Sequence, residues 1–414
     1  MRAALFAVGI SLALFSSEPT FASDTTIEVG VAPAAMMPTY QAVADAYMQQ
    51  NPSVQVKLRA APSYPELTQQ ILRESLTGHV PDISFQAYSQ IRVLVDQGLA
   101  VSLNHFIEAS GGELTRSPVL QSLGQVKGQT YAVPFWTSMP VVFFNLDLVK
   151  KAGSDPKKLP TTWDGILALG RKMSDLGDNT SGFYYIYKNT DWPFQALVDS
   201  FGGRMMTPEE ESIAFNQRAG ELAFNLLERL GKAGMTDMTK DQARQAFVAG
   251  KLGILVDASS LLPGMEEKAK DRFEIGIGLH PVDSPDGRLP AGGNAMMLLS
   301  KDPDRQKAAW DFIKFASGPI GQAIVVKKTG ALPLSLSDKE REELLGSYYR
   351  ERPNQRALLE GRHLIIDWFG FPGPNANKIV SLIENKSEAV ATIKESPAEA
   401  MRTLAADVNA LLPQ

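Results

Sequence analysis

The strongest constraint on the fold of this 414-residue chain is a rhythm: short strand-like runs alternate with longer stretches whose apolar residues recur at helical spacing. Residues 26–31 (T-I-E-V-G-V) alternate as a strand does, 39–50 carry helical spacing, and Asn51-Pro52 ends that helix. Residues 54–58 alternate again, and 66–76 read as a helix with Gly78 placed as its C-cap. Residues 82–85 read as a short buried strand and 90–97 as a helix. A β-α-β-α-β order predicts a mainly parallel sheet with helices on its faces. The rhythm then restarts. Strands are expected at 141–144, 182–187, 252–256, 273–279 and 296–299. Helices are expected from Trp163, where Thr161 and Thr162 supply caps, and at 219–230, 240–249, 303–315 and 396–412. No repeat, low-complexity block or long linker interrupts the pattern, so two α/β lobes are expected.

The first residues bear on compartment. Arg2 precedes an apolar run at 3–15, followed by Ser16, Ser17, Glu18, Pro19 and the small residue Ala22. This is the pattern of a secretory leader, read here as residues 1–22 and cleaved after Ala22. No later stretch holds 18 consecutive apolar residues, so no membrane span is expected after it. With no cysteine to carry a lipid anchor, the reading is a periplasmic protein. The same lack removes disulfides, thiolate metal sites, iron–sulfur clusters and a Cys nucleophile. Lys and Arg total 41 against 46 Asp and Glu, and a net charge of −5 argues against nucleic-acid binding and against a polybasic membrane surface.

Chemical motifs are mostly absent. His79, His105, His280 and His363 show no ligand spacing and read as surface or capping residues, so no metal is expected. There is no G-x-S-x-G elbow and no P-loop. Gly276-Ile277-Gly278 reads as a strand end and not as a dinucleotide loop, so no cofactor is expected. Glu209–Glu211 and Glu342/Glu343 read as solvated helical faces. With no site to hold a reaction, the chain is read as a non-enzyme.

What remains is a set of aromatics and hydroxyls beside glycine or proline where strands end. They are Tyr64, Tyr88-Ser89, Trp136 and Ser138 in W-T-S, Trp192, Ser259-Ser260 and Gly292-Gly293. In open α/β sheets ligands bind beyond the carboxyl ends of strands. Aromatic faces stack on sugar rings, and hydroxyls fix a sugar's polar edge. Packing accounts for Trp136 and Trp192 as an alternative, helix N-capping for Ser259 and Ser260, and a tight turn or hinge for the glycine pair.

Several segments together resemble the family 1 extracellular solute-binding proteins of ABC importers, the group that holds the maltose- and glycerol-3-phosphate-binding proteins. They are N-P-S-V-Q-V (51–56), G-H-V-P-D-I (78–83), Y-A-V-P-F (131–135), V-V-F-F-N-L-D-L-V-K-K-A-G (141–153), P-T-T-W (160–163) and F-V-A-G-K-L-G-I (247–254). G-G-N-A-M-M-L-L-S-K (292–301), K-A-A-W-D-F-I-K-F (307–315) and T-G-A-L-P (329–333) complete the set. The resemblance implies a two-lobed periplasmic binding protein fold of type II. Each lobe would be a mixed, mainly parallel sheet flanked by helices, joined by a discontinuous hinge. It implies an N-lobe of residues 23–134 plus 295–315, a C-lobe of 141–283 plus 330–414, and hinge crossings at 134–141, 282–294 and 316–329. It also implies a monomer that captures a carbohydrate or polyol and docks on inner-membrane permease subunits.

Within that family the glycerol-3-phosphate branch matches in part. Tyr64, Ser138, Trp192, Ser259-Ser260, Gly292-Gly293 and Tyr349 with Pro353 correspond to its motifs. Ser89 stands where the branch has an acidic residue. Asp367-Trp368-Phe369-Gly370-Phe371-Pro372-Gly373 contains no arginine where the branch pairs a phosphate. Trp368 suits a sugar face instead. The expected ligand is therefore a sugar, oligosaccharide or sugar alcohol. The alternatives are sn-glycerol 3-phosphate or a glycerophosphodiester as ligand, and a secreted carbohydrate-active enzyme as function.

Overall fold

The computed structural model describes residues 25–111, 119, 122–177, 179–188 and 190–413, so the leader assigned to residues 1–22 lies outside the described part. The chain begins β1 (Thr25–Val31), α1 (Met37–Gln50), β2 (Val54–Ala60), α2 (Tyr64–Ser75), β3 (Ile83–Ala87) and α3 (Tyr88–Asp96). β4 (Ala132–Ser138) and β5 (Pro140–Asn145) then follow with only Met139 between them. Next come α4 (Trp163–Ser174), β6 (Ser181–Tyr185), α5 (Trp192–Ser200), α6 (Arg218–Lys232), α7 (Lys240–Val248), β7 (Leu252–Ala258) and β8 (Ile275–Leu279). The chain continues through β9 (Gly292–Leu298), α8 (Pro303–Ser317), α9 (Pro319–Thr329), α10 (Asp338–Glu351), α11 (Ala376–Ala391) and α12 (Pro397–Asn409). Shorter elements are named by their residues.

Local chemistry sets the helix starts. Ser63 accepts the N–H of Glu66 at the head of α2, and Thr162 accepts that of Gly165 at the head of α4. Thr239 and Gln242 cap α7 reciprocally, as Ser337 and Glu340 cap α10. The apolar stripe of α6 (Ala223, Phe224, Leu226, Leu227, Leu230) is buried, with α5, α11 and α12 against the helix.

Two main sheets carry the two lobes. The first has strand order β2-β1-β3-β9-β4 and the second β8-β5-β7-β6. Tyr40, Phe85 and Phe135 centre the core beneath the first sheet. Phe143, Phe144, Phe183 and Ile254 lie in the core of the second. Val141–Phe144 are fully buried in β5, an interior strand, and each such side chain stabilises the fold by about 1.5–3 kcal/mol.

Antiparallel pairing is more extensive than a mainly parallel sheet implies. β1 pairs parallel with β2 and β3, and β6 with β7. β9 is antiparallel to β3 and β4, and β5 is antiparallel to β7 and β8. The reason is topological. β4 leaves the first sheet toward the second and β9 returns from it, so the returning strand enters from the opposite end. The region expected as a crossing at 316–329 also differs, because Pro319–Thr329 is helical and packs on α1 and α8. Gly330 ends that helix in the left-handed region (φ +66°), and Leu332 N–H then reaches Thr137 C=O at 2.8 Å.

These pairings aim the right strand ends at each other. Ser138, at the end of β4, pairs with Gly292, at the start of β9, and Ala87 at the end of β3 pairs with Asn294. On the second sheet, Pro140 at the start of β5 pairs with Ala258 at the end of β7. Gly292 and Gly293 form no tight turn; they are strand residues ahead of a β-bulge at Asn294/Ala295. Gly293 has φ +107°, and a Cβ there would lie 2.0 Å from the carbonyl oxygen of Trp136. Gly293→Ala is therefore expected to lower stability by about 2 kcal/mol or more, read as a reduced denaturant midpoint at unchanged slope.

Candidate functional site

The first-lobe half of the site is a hydroxyl cluster beyond the strand ends. Tyr40 donates its O–H to the carbonyl of Ala32 and accepts Asn294 Nδ2 at 2.7 Å. The other Nδ2 hydrogen of Asn294 goes to Tyr64 Oη at 3.1 Å. Asn294 is fully buried, and its Oδ1 has no partner among the described residues. The amide orientation follows from Tyr40: its proton is spent on Ala32, so only the NH₂ end of Asn294 can face it. Tyr88 and Thr137 hydrogen-bond through their hydroxyls at 2.8 Å. Burial raises the phenol pKa of Tyr40, Tyr64 and Tyr88, so all three remain neutral donors. Ser89 is buried one residue into α3. Trp136 is half-buried against the first-sheet core, with its buried Nε1 unpartnered among the described residues.

The crossings supply the middle. A Cβ on Gly292 would stand 2.7 Å from Ser138 Oγ and 3.2 Å from the Trp192 ring, so Ser138 and Trp192 both crowd this glycine. Ser259 accepts Met139 N–H on its Oγ at 3.2 Å and donates its own N–H to Met139 C=O at 2.8 Å. Its side chain makes no N-cap bond, because the hydroxyl is committed to the β4–β5 junction; Ser260 follows it in a 3₁₀ turn. This corrects the capping alternative.

The second-lobe half is aromatic and acidic. Trp192 opens α5 and donates Nε1 to Pro290 C=O at 3.1 Å. Its ring lies 6.5 Å from that of Trp368, tilted by 59°. Trp368 Nε1 donates to Asp191 Oδ1 at 3.1 Å, while Gln195 Nε2 donates to Asp191 Oδ2 at 2.7 Å. Gln195 also clasps the backbone of Phe369, donating to its C=O at 3.0 Å and accepting its N–H at 3.1 Å. Tyr64, Asn294, Trp136, Ser138, Gly292, Trp192 and Trp368 thus form a run of direct contacts and strand pairings, with Ser259 one residue further on. Tyr349 is not brought into it. It sits in a satellite cluster with Leu345 and Tyr348 between α9 and α10.

Acidic groups near the site are desolvated, which favours their neutral forms. Burial pushes the Asp191 carboxyl up to about 6, against the bonds from Gln195 and Trp368 that favour its ion. Burial lifts Asp367 to about 8, opposed by the backbone N–H groups of Gly124 and Trp368. Glu384 rises to about 7 through burial, with the Asp191 charge adding to it. The guanidinium of Arg92 is engaged by both Asp96 and Glu210.

Two earlier expectations change here. His280 is buried, not superficial. Its Nδ1 lies 2.9 Å from Pro281 C=O, and burial against Trp163 lowers its pKa to about 4. Glu209–Glu211 occupy a turn and not a helix, and Glu210 faces Arg92. Asn294, Asp191, Asp367 and Gln195 were missed as candidates. A lone Asn opening an apolar strand was the available sign for Asn294, and Asp before Trp-Pro at a helix start was the sign for Asp191.

The raised carboxyls fix the sign of a pH effect. An unfolded Asp loses its proton near pH 3.9, whereas folded Asp367 keeps it to about 8, so the folded state holds the extra proton between these values. Stability from this group is full below the lower value and is lost as pH rises through the upper one. The melting temperature is expected to fall from pH 5 to pH 9, with on the order of 1 kcal/mol lost per pH unit within the window. Asp367→Asn should flatten that slope.

A family model described as bacterial extracellular solute-binding protein matches residues 42–343. The sn-glycerol-3-phosphate-binding periplasmic protein UgpB of Escherichia coli K12 is 26% identical over 307 residues, covering 69% of this chain and 68% of that protein. UgpB from Mycobacterium tuberculosis, solved in complex with glycerophosphocholine, superposes with a TM-score of 0.78 at 20% identity, covering 93% of this chain and 98% of the other. A solute-binding protein from Thermotoga lettingae, solved with α-D-tagatose, superposes at 0.77 with 18% identity, covering 94% and 100%. The chain belongs to the bacterial extracellular solute-binding proteins.

Proposed function

We propose that this protein is the periplasmic substrate-binding component of an ABC importer, capturing a neutral sugar, oligosaccharide or sugar alcohol between its lobes for an inner-membrane permease. The carrying observation is the run of contacts just described, in which Asn294 bonds Tyr64 in one lobe while Ser138 of that lobe and Trp192 of the other both crowd Gly292, with Trp368 beside Trp192. In this reading Tyr64, Tyr88, Ser89, Trp136, Ser138, Trp192, Ser259, Ser260, Gly292, Gly293 and Trp368 border the ligand. Tyr349 acts at most through the helix it packs on. The lobes divide at Met139, between β8 and β9, and at Gly330. A carbohydrate satisfies the lining because its hydroxyls both donate and accept, while its ring faces suit indoles.

A glycerophosphodiester is the second reading, favoured by what the UgpB relatives are named for or were solved with. Against it stands Asp191, a buried carboxyl that carries charge above about pH 6. Arg92, already engaged by two carboxylates, would have to give them up to pair with a phosphate. The enzyme alternative draws no support from the relatives, which are binding proteins by name.

A thermal-shift and tryptophan-fluorescence screen tests this, with tagatose, maltose and a wide sugar and alditol panel beside sn-glycerol 3-phosphate and glycerophosphocholine. One carbohydrate is expected to raise the melting temperature, by about 2.7 kcal/mol of stabilisation at a hundredfold excess over its Kd. Trp368→Ala should weaken that ligand at least tenfold. A response to glycerophosphocholine alone, unaffected by Trp368→Ala, transfers the assignment to the second reading. Silence across both classes removes both.

A further inference from the structure

The lobes also touch through contacts that no solute supplies. α3 extends from the first sheet and buries Arg92, whose side chain is only 7% exposed. Arg92 Nε donates to Asp96 Oδ1 at 2.8 Å, one turn along, and Nη1 donates to Glu210 Oε2 of the second lobe. The other oxygen of Asp96 accepts the backbone N–H of Gly373 at 3.1 Å. Gly370 lies so close to α3 that a Cβ on it would be 2.4 Å from Ser89 C=O. Residues 89, 92 and 96 share one face of the helix, and that face is gripped along its length. The gripping segment belongs to the second lobe, being held there by Gln195 through Phe369.

Glu210 is presented in an unusual way. Its φ is +59°, the left-handed region that a residue with a Cβ seldom adopts. The loop holding it is closed by Thr207 N–H to Ser212 C=O and by Glu210 N–H to Thr207 C=O, each at 2.9 Å. A Met206–Ile213 bridge closes it further, and Phe215 beyond it packs edge-on against Phe194 of α5. A disfavoured backbone held by so closed a frame, carrying a carboxylate that crosses to Arg92, marks a position where conformation serves a contact.

We propose that Arg92, Asp96 and Glu210 form a built-in latch that populates the closed arrangement of the lobes before any solute binds. The guanidinium is shared between the lobes, and its two carboxylates satisfy it in a largely desolvated place. Opening separates Glu210 from the guanidinium and leaves Asp96 on it. The latch depends on the two-lobed fold alone, so it stands whether the solute is a sugar or a phosphodiester.

The test uses no ligand. Lys57→Cys and Lys172→Cys, exposed positions on the first and second lobes of a chain without native cysteine, carry spin labels for interlobe distance measurement. The protein is first unfolded, dialysed and refolded to strip any copurified solute. The otherwise wild-type chain is expected to show a predominant short distance, and Glu210→Gln a tenfold or greater loss of that population with folding intact by circular dichroism. Glu210→Gly, which relieves the left-handed backbone but also removes the carboxylate, should match Glu210→Gln. Arg92→Met should do the same where it folds. Identical distance distributions for the wild-type background and Glu210→Gln, both short or both long, overturn the latch.

Discussion

The site depends on how closely β4 and β9 approach at Gly292 and Gly293. No side chain fits at either position: one is walled by Ser138 and Trp192, the other by the backbone of Trp136. The positive φ at Gly293 and the bulge that follows rotate the strand, so that Asn294 points to Tyr40 and Tyr64 instead of continuing the regular alternation. One glycine pair therefore sets how β9 meets β4 and which way Asn294 faces. Ser259 does the matching work on the other side, tying the end of β7 to Met139 at the neighbouring crossing.

Desolvation governs the second half. Asp191, Asp199 and Asp367 all sit where burial penalises a carboxylate ion, and Asp191 adds repulsion to Asp199. Asp191 keeps its place because Gln195 and Trp368 donate to it and because it precedes the amino end of α5, where negative charge is favoured. Such surroundings favour groups that exchange hydrogen bonds without bringing a charge into a desolvated place. That is a stronger basis for a hydroxylated solute than the missing arginine in 367–373, since a cation from elsewhere in the chain could have replaced it.

The fold was largely legible because its signals are local. Alternation in 26–31, the caps at Thr162 and Ser396, and the Pro-started helix at 303 each act within one or two turns of chain, and the elements formed there. What could not be read depends on distant partners. His280 looked superficial until Trp163 and Tyr185 enclosed it. Glu210 looked like one of three solvated acids, yet its role comes from Arg92, 118 residues earlier. Pairing direction was obscured for the same reason, since β9 is antiparallel only because it returns from the other lobe. Tyr349 shows the converse: a motif correspondence put it with the site, and packing on Tyr348 put it in a separate cluster.

Pre-closure carries a cost as well as a gain. A solute that binds only the closed arrangement loses apparent affinity in proportion to the fraction of molecules that are not closed, so a latch removes that tax. A solute must also enter, and entry needs the open arrangement, so every increment of latch strength slows capture. The balance favours a contact that is strong for its size, and the ion pair that crosses between the lobes is one guanidinium and one carboxylate, with Asp96 holding the guanidinium from its own helix. Because Asp96 stays with Arg92 when the lobes part, opening does not strand a bare buried charge, which would cost several kcal/mol. Asp96 thus moderates the latch as much as it completes it.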